Sequence, residues 1–176
     1  MIKIVFICII LLYISFLCKH QIKEFFDPDS TNDSTNDYTN ILGTKLEICS
    51  TDPMTGFYRQ GYCKTGPEDK GTHTVCATVT DEFLEFTKSM GNDLSTPRDN
   101  FPGLKDGDKW CLCELRWQQG VHNGYITDVD LKATNSKTRP SIRYEIEALN
   151  LQEFLQEELN ILKNKIFSSI IIQIFR

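Results

Sequence analysis

The sequence predicts an α+β fold, a single compact domain with a small mixed sheet and two or three helices. Short segments rich in Val, Thr and Cys are interleaved with segments whose apolar residues recur every three or four positions. These segments follow no regular βαβ repeat, which argues against a doubly wound parallel sheet. The chain has 176 residues, enough for one domain of ordinary size with terminal extensions.

Five segments are predicted to be strands. Residues 45–49 alternate between apolar and polar, and residues 73–80 are rich in Val and Thr. Residues 110–113 form a short apolar strand, although a helix starting at residue 110 is a rival, because Trp110, Cys113 and Trp117 would share a face. Strands near residues 129–134 and 142–146 complete the predicted sheet.

Three segments are predicted to be helices. Thr80 or Asp81 is the expected N-cap of the first, and Gly91 follows its end. A second helix ends near Gly120 or Gly124. The third closes the domain and carries an amphipathic stripe. The predicted inner face of the first helix is Phe83, Leu84, Phe86 and Thr87, and the stripe of the third is Leu151, Phe154, Leu155, Leu159, Leu162 and Ile166.

Residues 1–18 are predicted to form a signal peptide or a membrane anchor. Residues 2–18 are apolar apart from Lys3, and a spanning helix needs roughly 20 apolar residues, so a signal-peptide core fits better. Bulky Phe16 and Leu17 make a poor cleavage site, which keeps the anchor as the alternative. We therefore expect a protein of the secretory pathway (secreted, lumenal or organelle-targeted) or a membrane-anchored one. Membrane contact is expected only through residues 2–18, if they are not removed.

The rest of the chain divides into three parts. Residues 19–39 are predicted to be a disordered polar linker, because they repeat Ser-Thr-Asn-Asp and contain little apolar surface to bury. Residues 40–157 form the predicted α+β domain. Residues 158–176 form a helical, apolar C-terminal extension, which we expect to pack on the core or contact a partner, with a membrane surface as the alternative.

The charge of the chain excludes one class of partner. It carries 19 Lys and Arg against 24 Asp and Glu, a formal net charge of −5. Nucleic-acid binders rely on basic surface to displace counterions from phosphates. We therefore expect no nucleic-acid partner.

All five cysteines beyond the N-terminal apolar run lie between residues 49 and 113. An odd number cannot be fully paired within one chain. An oxidising compartment would permit disulfides, with Cys49–Cys63 or Cys63–Cys76 as the conceivable pairs. The alternatives are small buried apolar residues or functional thiols. The five are Cys49, Cys63, Cys76, Cys111 and Cys113.

The spacing of potential ligands does not call for a metal. Structural zinc usually shows paired ligands two to four residues apart. Cys111 and Cys113 are too close for that pattern, and His73 with Cys76 is a single pair. A mixed site of Cys49, Cys63, His73 and Cys76 is permitted but not required by spacing. We assign no metal site and leave any cofactor unidentified.

Two polar loops, residues 52–73 and 91–108, are the predicted location of a site. Gly, Pro, Asp and Asn give both loops defined turn chemistry. Arg59 and Arg98 could each hold a carboxylate or phosphate in a bidentate grip. The leading hypothesis is a small polar or anionic ligand bound in a pocket that both loops frame. The predicted ligand-binding residues are Arg59, Glu68, Asp69, His73, Asn92, Asp93 and Arg98.

Two other readings stay open. A thiol-dependent enzyme would use Cys63 or Cys76 as nucleophile, because an imidazole such as His73 activates a thiolate. Alternatively, the protein is a structural or interaction protein without a site. Asp and Asn in loops mostly satisfy turn backbones, and an Arg beside acids often forms a structural ion pair.

Several segments together resemble a known family. They include Gly-Thr-His-Thr-Val-Cys-Ala at 71–77, Gly-Asn-Asp-Leu-Ser-Thr-Pro at 91–97 and Trp-Cys-Leu-Cys at 110–113. Residues from roughly 40 to 156 resemble the domain of unknown function 2237 family, small and mostly bacterial proteins. The resemblance implies a compact α+β domain and carries over no activity. A His often follows the Ala-Thr pair in that family, where this chain has Asn135.

Overall fold

The structure, a computed structural model, describes residues 38–174, with side chains as far as residue 168. The predicted signal peptide or anchor lies outside the described residues, as does the predicted linker except for residues 38 and 39. Three strands and three helices follow one another in this part of the chain. They are β1 (Val75–Thr78), α1 (Asp81–Ser89), β2 (Lys109–Leu112), α2 (Glu114–His122), β3 (Asp128–Val129) and α3 (Pro140–Ile174).

The three strands form one sheet in the order β2-β1-β3. Both pairings are antiparallel, with Cys76 opposite Cys111 and Ala77 opposite Val129. Three helices with a small sheet make a compact α+β domain, so the predicted fold class is confirmed. The sheet is antiparallel throughout and not mixed.

The central strand separates two buried clusters of side chains. Successive side chains of a strand point to opposite faces of the sheet. Val75 and Ala77 therefore join the larger hydrophobic core, where they meet the helices, whereas Cys76 joins the other cluster. The larger core includes Phe83 of α1, Trp117 of α2, and Ile142 and Ile146 of α3. The second cluster consists of Cys49, Cys63, Cys76, Cys111 and Ala133.

Helix α1 begins as predicted. The Thr80 side chain accepts a hydrogen bond from the backbone N–H of Phe83 at 3.1 Å, which satisfies one of the free donors of the first turn. Gly91 follows the end of the helix with φ +80°. This left-handed conformation is costly for residues with a Cβ, so glycine suits the position. Phe83, Leu84 and Thr87 are buried and Phe86 is half-buried.

The predicted strands are confirmed only in part. The predicted strand at residues 73–80 is present but shorter, as β1. The predicted strand at residues 110–113 corresponds to β2, and α2 begins only after it, so the rival helix starting at residue 110 is wrong. Residues 45–49 do not form a strand. The N–H of Glu47 donates to Lys132 and that of Cys49 to Gly61, so two different segments supply partners and no ladder develops. Of residues 129–134 only Val129 is in a strand, because Asp130 accepts hydrogen bonds that start a turn.

The predicted strand near residues 142–146 is wrong, because this segment is the start of α3. Ile142 and Ile146 are fully buried, whereas Tyr144 is 70% exposed. A strand would place all three side chains on one face, but a helix places only residues four apart together. The spacing of Ile142 and Ile146 fits the period of a strand as well as that of a helix, and burial of both side chains in the core selects the helix.

Helix α3 runs without interruption past residue 157, where the domain was predicted to end. The predicted stripe lies on this helix, and Leu151, Leu155, Leu159 and Ile166 are each more than 40% exposed. No helix in residues 38–174 combines the length and the apolarity needed to cross a bilayer.

Alanine substitutions at Ile142 and Tyr144 test the helical assignment. We expect Ile142→Ala to lower the free energy of unfolding by about 2–5 kcal/mol, because it leaves a cavity in the core. Tyr144→Ala is expected to change it by about 0.5 kcal/mol or less, since that side chain is exposed. Urea denaturation followed by circular dichroism measures both. Equal losses for the two variants would contradict the helix.

Candidate functional site

Four cysteines form two disulfides beside the sheet. Cys49 pairs with Cys76 and Cys63 with Cys111, at sequence separations of 27 and 48 residues. Neither of the pairs that were conceivable from the sequence, Cys49–Cys63 and Cys63–Cys76, is therefore formed. The register of β1 and β2 places Cys76 and Cys111 side by side, and each takes its partner from a loop. Pairing follows the sheet register, which the spacing of cysteines along the chain does not reveal.

This pairing removes the thiols that the enzyme hypothesis requires. Cys63 and Cys76 are both bonded to another sulfur, so neither offers a thiolate to His73. Cys113 is the free cysteine of the described residues, and it lies half-buried just before α2. The structure therefore does not support a thiol enzyme at Cys63 or Cys76.

The two disulfides share one buried site. The sulfurs of Cys49, Cys63 and Cys76 all lie within 4.8 Å of one another, and Cys111 is bonded to one of them. All four residues are at most 5% exposed. They come from four separate segments. Cys49, Cys63 and Cys76 belong to the mixed site that the spacing permitted, whereas Cys111 takes the place there of His73.

In the first loop, Asp69 and His73 form a hydrogen-bonded pair. The Asp69 side chain is fully buried, and its Oδ1 lies 2.6 Å from Nδ1 of His73. Its Oδ2 accepts hydrogen bonds from the His73 backbone N–H at 2.8 Å and from Thr65 Oγ1 at 3.0 Å. The imidazole is 35% exposed, and its Nε2 makes no hydrogen bond within the described residues. The Asp69 carboxylate therefore fixes the orientation of the His73 ring, and Nε2 of this ring has no hydrogen-bond partner among the described residues.

The electrostatics of this pair favour an ionised Asp69. Burial raises the pKa of Asp69, but the hydrogen bonds from His73 and Thr65 outweigh burial and lower that pKa below its ordinary value. Because an ionised carboxylate only accepts hydrogen bonds, Nδ1 of His73 is the donor. In the neutral ring Nε2 then carries the lone pair.

A second polar pair lies beside the first. The Tyr58 hydroxyl donates a short hydrogen bond to Glu68 Oε1, which raises the pKa of Tyr58 to about 12 and lowers the pKa of Glu68. The Phe57 ring connects the two pairs, since it stacks on His73 at 6.0 Å and meets Tyr58 edge-on at 5.1 Å between ring centroids. Three of the seven predicted ligand residues, Glu68, Asp69 and His73, thus lie close together in the first loop, where Glu68 and His73 reach solvent and Asp69 is buried.

The polar residues of the second loop mainly satisfy their own turn. Asp93 accepts hydrogen bonds from the N–H and hydroxyl groups of Ser95 and Thr96 and pairs with Lys88 at 3.3 Å. The bonds from Thr96 hold the pKa of Asp93 well below its usual range. Asn92 donates to the Thr87 hydroxyl at 2.9 Å, at the end of α1. These contacts stabilise the loop, and they engage the side chains of Asn92 and Asp93 in hydrogen bonds within the domain.

Each of the two arginines is engaged in a contact within the domain. The Arg59 guanidinium lies over the ring of Trp110, 4.8 Å from its centroid. Arg98 donates to the backbone carbonyl of Asp93 at 3.1 Å. Phe101 contacts the same Trp110 ring edge-on at 5.3 Å. Both loops therefore reach Trp110, but through packing contacts.

The loops also border a common cavity of about 460 Å³. None of the seven predicted ligand-binding residues lines it. Its lining includes Asp52 and Pro53 from the first loop and Ser95, Pro102, Lys105 and Asp108 from the second.

Asn135 has a structural role in this chain. It is buried, and its side chain donates to the backbone carbonyl of Cys63 at 2.9 Å and accepts from Lys137 N–H at 2.9 Å. Its backbone N–H donates to Thr74. Asn135 therefore fixes the Cys63 segment against the start of β1.

Removing one disulfide tests the pairing. We expect the double substitution Cys63→Ala with Cys111→Ala to lower the free energy of unfolding by about 2–5 kcal/mol, because the loop it closes is long. Cys113→Ala is the control, with an expected change below about 1 kcal/mol. Peptide mapping of unreduced protein after alkylation should find Cys113 labelled. Labelling of Cys63 or Cys111 without reductant would contradict the pairing.

Acid titration of stability tests the Asp69 pair. A carboxylate whose pKa is lower in the folded state stabilises the fold above its unfolded pKa, near 3.9, and this contribution is lost as the pH falls further. We expect Asp69→Asn to be less stable than wild type at neutral pH and the difference to shrink between about pH 5 and pH 2. Urea denaturation at several pH values measures it. Glu85→Gln, on the exposed face of α1, is the control. A difference that does not depend on pH would contradict the lowered pKa.

A comparison with protein families identifies the domain. A sequence model described as uncharacterised protein conserved in bacteria matches residues 39–152, well over half of the chain. The matched region contains the sheet, both loops and the four paired cysteines, and the family resemblance seen in the sequence is confirmed. Among curated proteins, none is significantly similar to this chain. The chain belongs to the domain of unknown function 2237 family.

Proposed function

We propose that the domain binds a small polar ligand in the region of its two polar loops, with His73 as the central contact. The observation that carries the proposal is the Asp69–His73 pair, in which a buried carboxylate orients a half-exposed imidazole. A ring held in this way loses little rotational freedom when it binds, so its free nitrogen is a prepared contact. Phe57 supplies an apolar surface beside it.

The groups of this surface favour a ligand with hydrogen-bond donors. Nε2 of neutral His73 is an acceptor, and Glu68 is an exposed carboxylate whose pKa is lowered by Tyr58. Hydroxyl or amino groups of a ligand would donate hydrogen bonds to both of these acceptors. The anionic alternative has less support, because Arg59 lies over Trp110 and Arg98 bonds to Asp93.

We also propose that the protein functions in an oxidising compartment. Disulfides persist mainly in secreted, lumenal and periplasmic proteins. Two buried disulfides and the predicted N-terminal signal support the same location. Peptide mapping of protein isolated under conditions that trap thiols tests this proposal, and free Cys49 and Cys76 would contradict it.

Nuclear magnetic resonance with a defined probe tests the ligand proposal. Ethanolamine, which carries a hydroxyl and an amino group, is titrated at millimolar concentration into the labelled protein, and inorganic phosphate is the comparison. We expect ethanolamine to shift the resonances of His73, Glu68 and Phe57. His73→Ala should abolish the shifts, because it removes the central acceptor.

His122→Ala is the matched control, since His122 is an exposed histidine on α2, paired with Glu145 at 3.2 Å. It should leave the response to ethanolamine unchanged. Shifts confined to Asp52, Lys105 and Asp108 would overturn the His73 location in favour of the cavity. Failure of ethanolamine to shift any first-loop resonance would overturn the proposal that this surface binds donor-bearing ligands.

A further inference from the structure

We propose that the reduced domain binds one thiophilic divalent cation of the zinc type through Cys49, Cys63, Cys76 and Cys111. The four sulfurs would then have two states, a pair of disulfides or one metal centre. The proposal is independent of the ligand surface at His73, with which it shares no residue. Its basis is the placement of the four side chains.

Three of the four sulfurs lie close together, and the fourth is bonded to one of them. Zinc–sulfur bonds of about 2.3 Å in a tetrahedron place the sulfurs about 3.8 Å apart. The sulfurs of Cys49, Cys63 and Cys76 lie within 4.8 Å of one another, and that of Cys111 is at bonding distance from Cys63. Once the disulfides are reduced, the sulfurs of each pair, 2.08 and 2.09 Å apart as disulfides, separate to about 3.8 Å by side-chain rotation to reach this spacing.

The backbone around the cluster is held by contacts that do not involve the disulfides. Cys76 and Cys111 are register partners in the sheet. Their N–H groups donate to the hydroxyls of Thr134 at 3.1 Å and Thr55 at 2.8 Å. Cys49 donates its N–H to Gly61 at 2.8 Å, and Asn135 holds the carbonyl of Cys63. Reduction therefore leaves other bonds to keep the four segments together.

The donor set determines the class of metal. Thiolates are soft ligands that select zinc and related ions over magnesium or calcium. All four cysteines are buried, so a bound ion would have four protein ligands and no open position for substrate. This is the arrangement of a structural metal site. His73 does not join this group, because its ring nitrogens do not lie within 4.8 Å of all three sulfurs.

The change of state balances with a thiol or phosphine reductant. Each disulfide takes up two electrons and two protons and gives two thiols. Binding of the divalent cation then releases up to four protons as the thiols become thiolates. Oxidation by a disulfide-exchanging partner would release the metal and restore both pairs.

Cobalt titration tests the proposal. The chain carries three further cysteines, Cys8, Cys18 and Cys113, which are replaced by Ser so that only the cluster remains. This variant is reduced with a phosphine without oxygen, freed of reductant and titrated with Co²⁺. We expect the visible bands of tetrahedral thiolate cobalt, saturating at one ion per chain and displaced by Zn²⁺.

Adding Cys111→Ser to the same variant removes one ligand. Loss of outer groups that only orient a ligand costs about 10–100-fold in metal affinity, so loss of a ligand should cost at least about 100-fold. Circular dichroism follows folding throughout. A reduced, folded domain that takes up no Co²⁺ would overturn the proposal. If reduction unfolds the domain, Zn²⁺ must restore the fold, and failure to do so would overturn it equally.

Discussion

The alternation of side chains along β1 is the constraint on which the rest of the structure depends. Val75 and Ala77 face the helices, and Cys76 faces the opposite side of the sheet. A shift of pairing by one residue would exchange the two faces, so both buried clusters require the observed register. The same register places Cys111 beside Cys76. Helix packing and the cysteine site are therefore two consequences of one strand pairing.

The polar loops show how similar composition can lead to different roles. In the second loop, Asp93 accepts hydrogen bonds from its own turn and stabilises the chain between α1 and β2. In the first loop, the buried Asp69 carboxylate accepts a similar set of hydrogen bonds. One of them comes from the His73 ring and orients this ring toward solvent. The distinguishing feature is therefore a free polar atom, Nε2 of His73. The residue types of the two loops alone therefore do not distinguish them.

The cysteine cluster connects the fold to the chemical environment of the protein. As disulfides, the four sulfurs tie two loops to strands β1 and β2. As thiolates, the same four sulfurs meet the requirements of a structural metal. The hydrogen bonds of the neighbouring Thr55, Thr134 and Asn135 serve both states. The proposed metal state thus uses the same strand pairing that places the disulfides.

The sequence by itself was enough to predict the α+β class, the N-cap of α1 and the presence of Asp69 and His73 in one polar loop. Each depends on residues close together along the chain, whose spacing is visible. The tertiary structure alone decided the disulfide partners, the helix that contains Ile142 and Ile146, and the engagement of Arg59 and Arg98. These depend on which distant segments pack together. Local periodicity permits several partners, and only the register of the sheet and burial in the core select one.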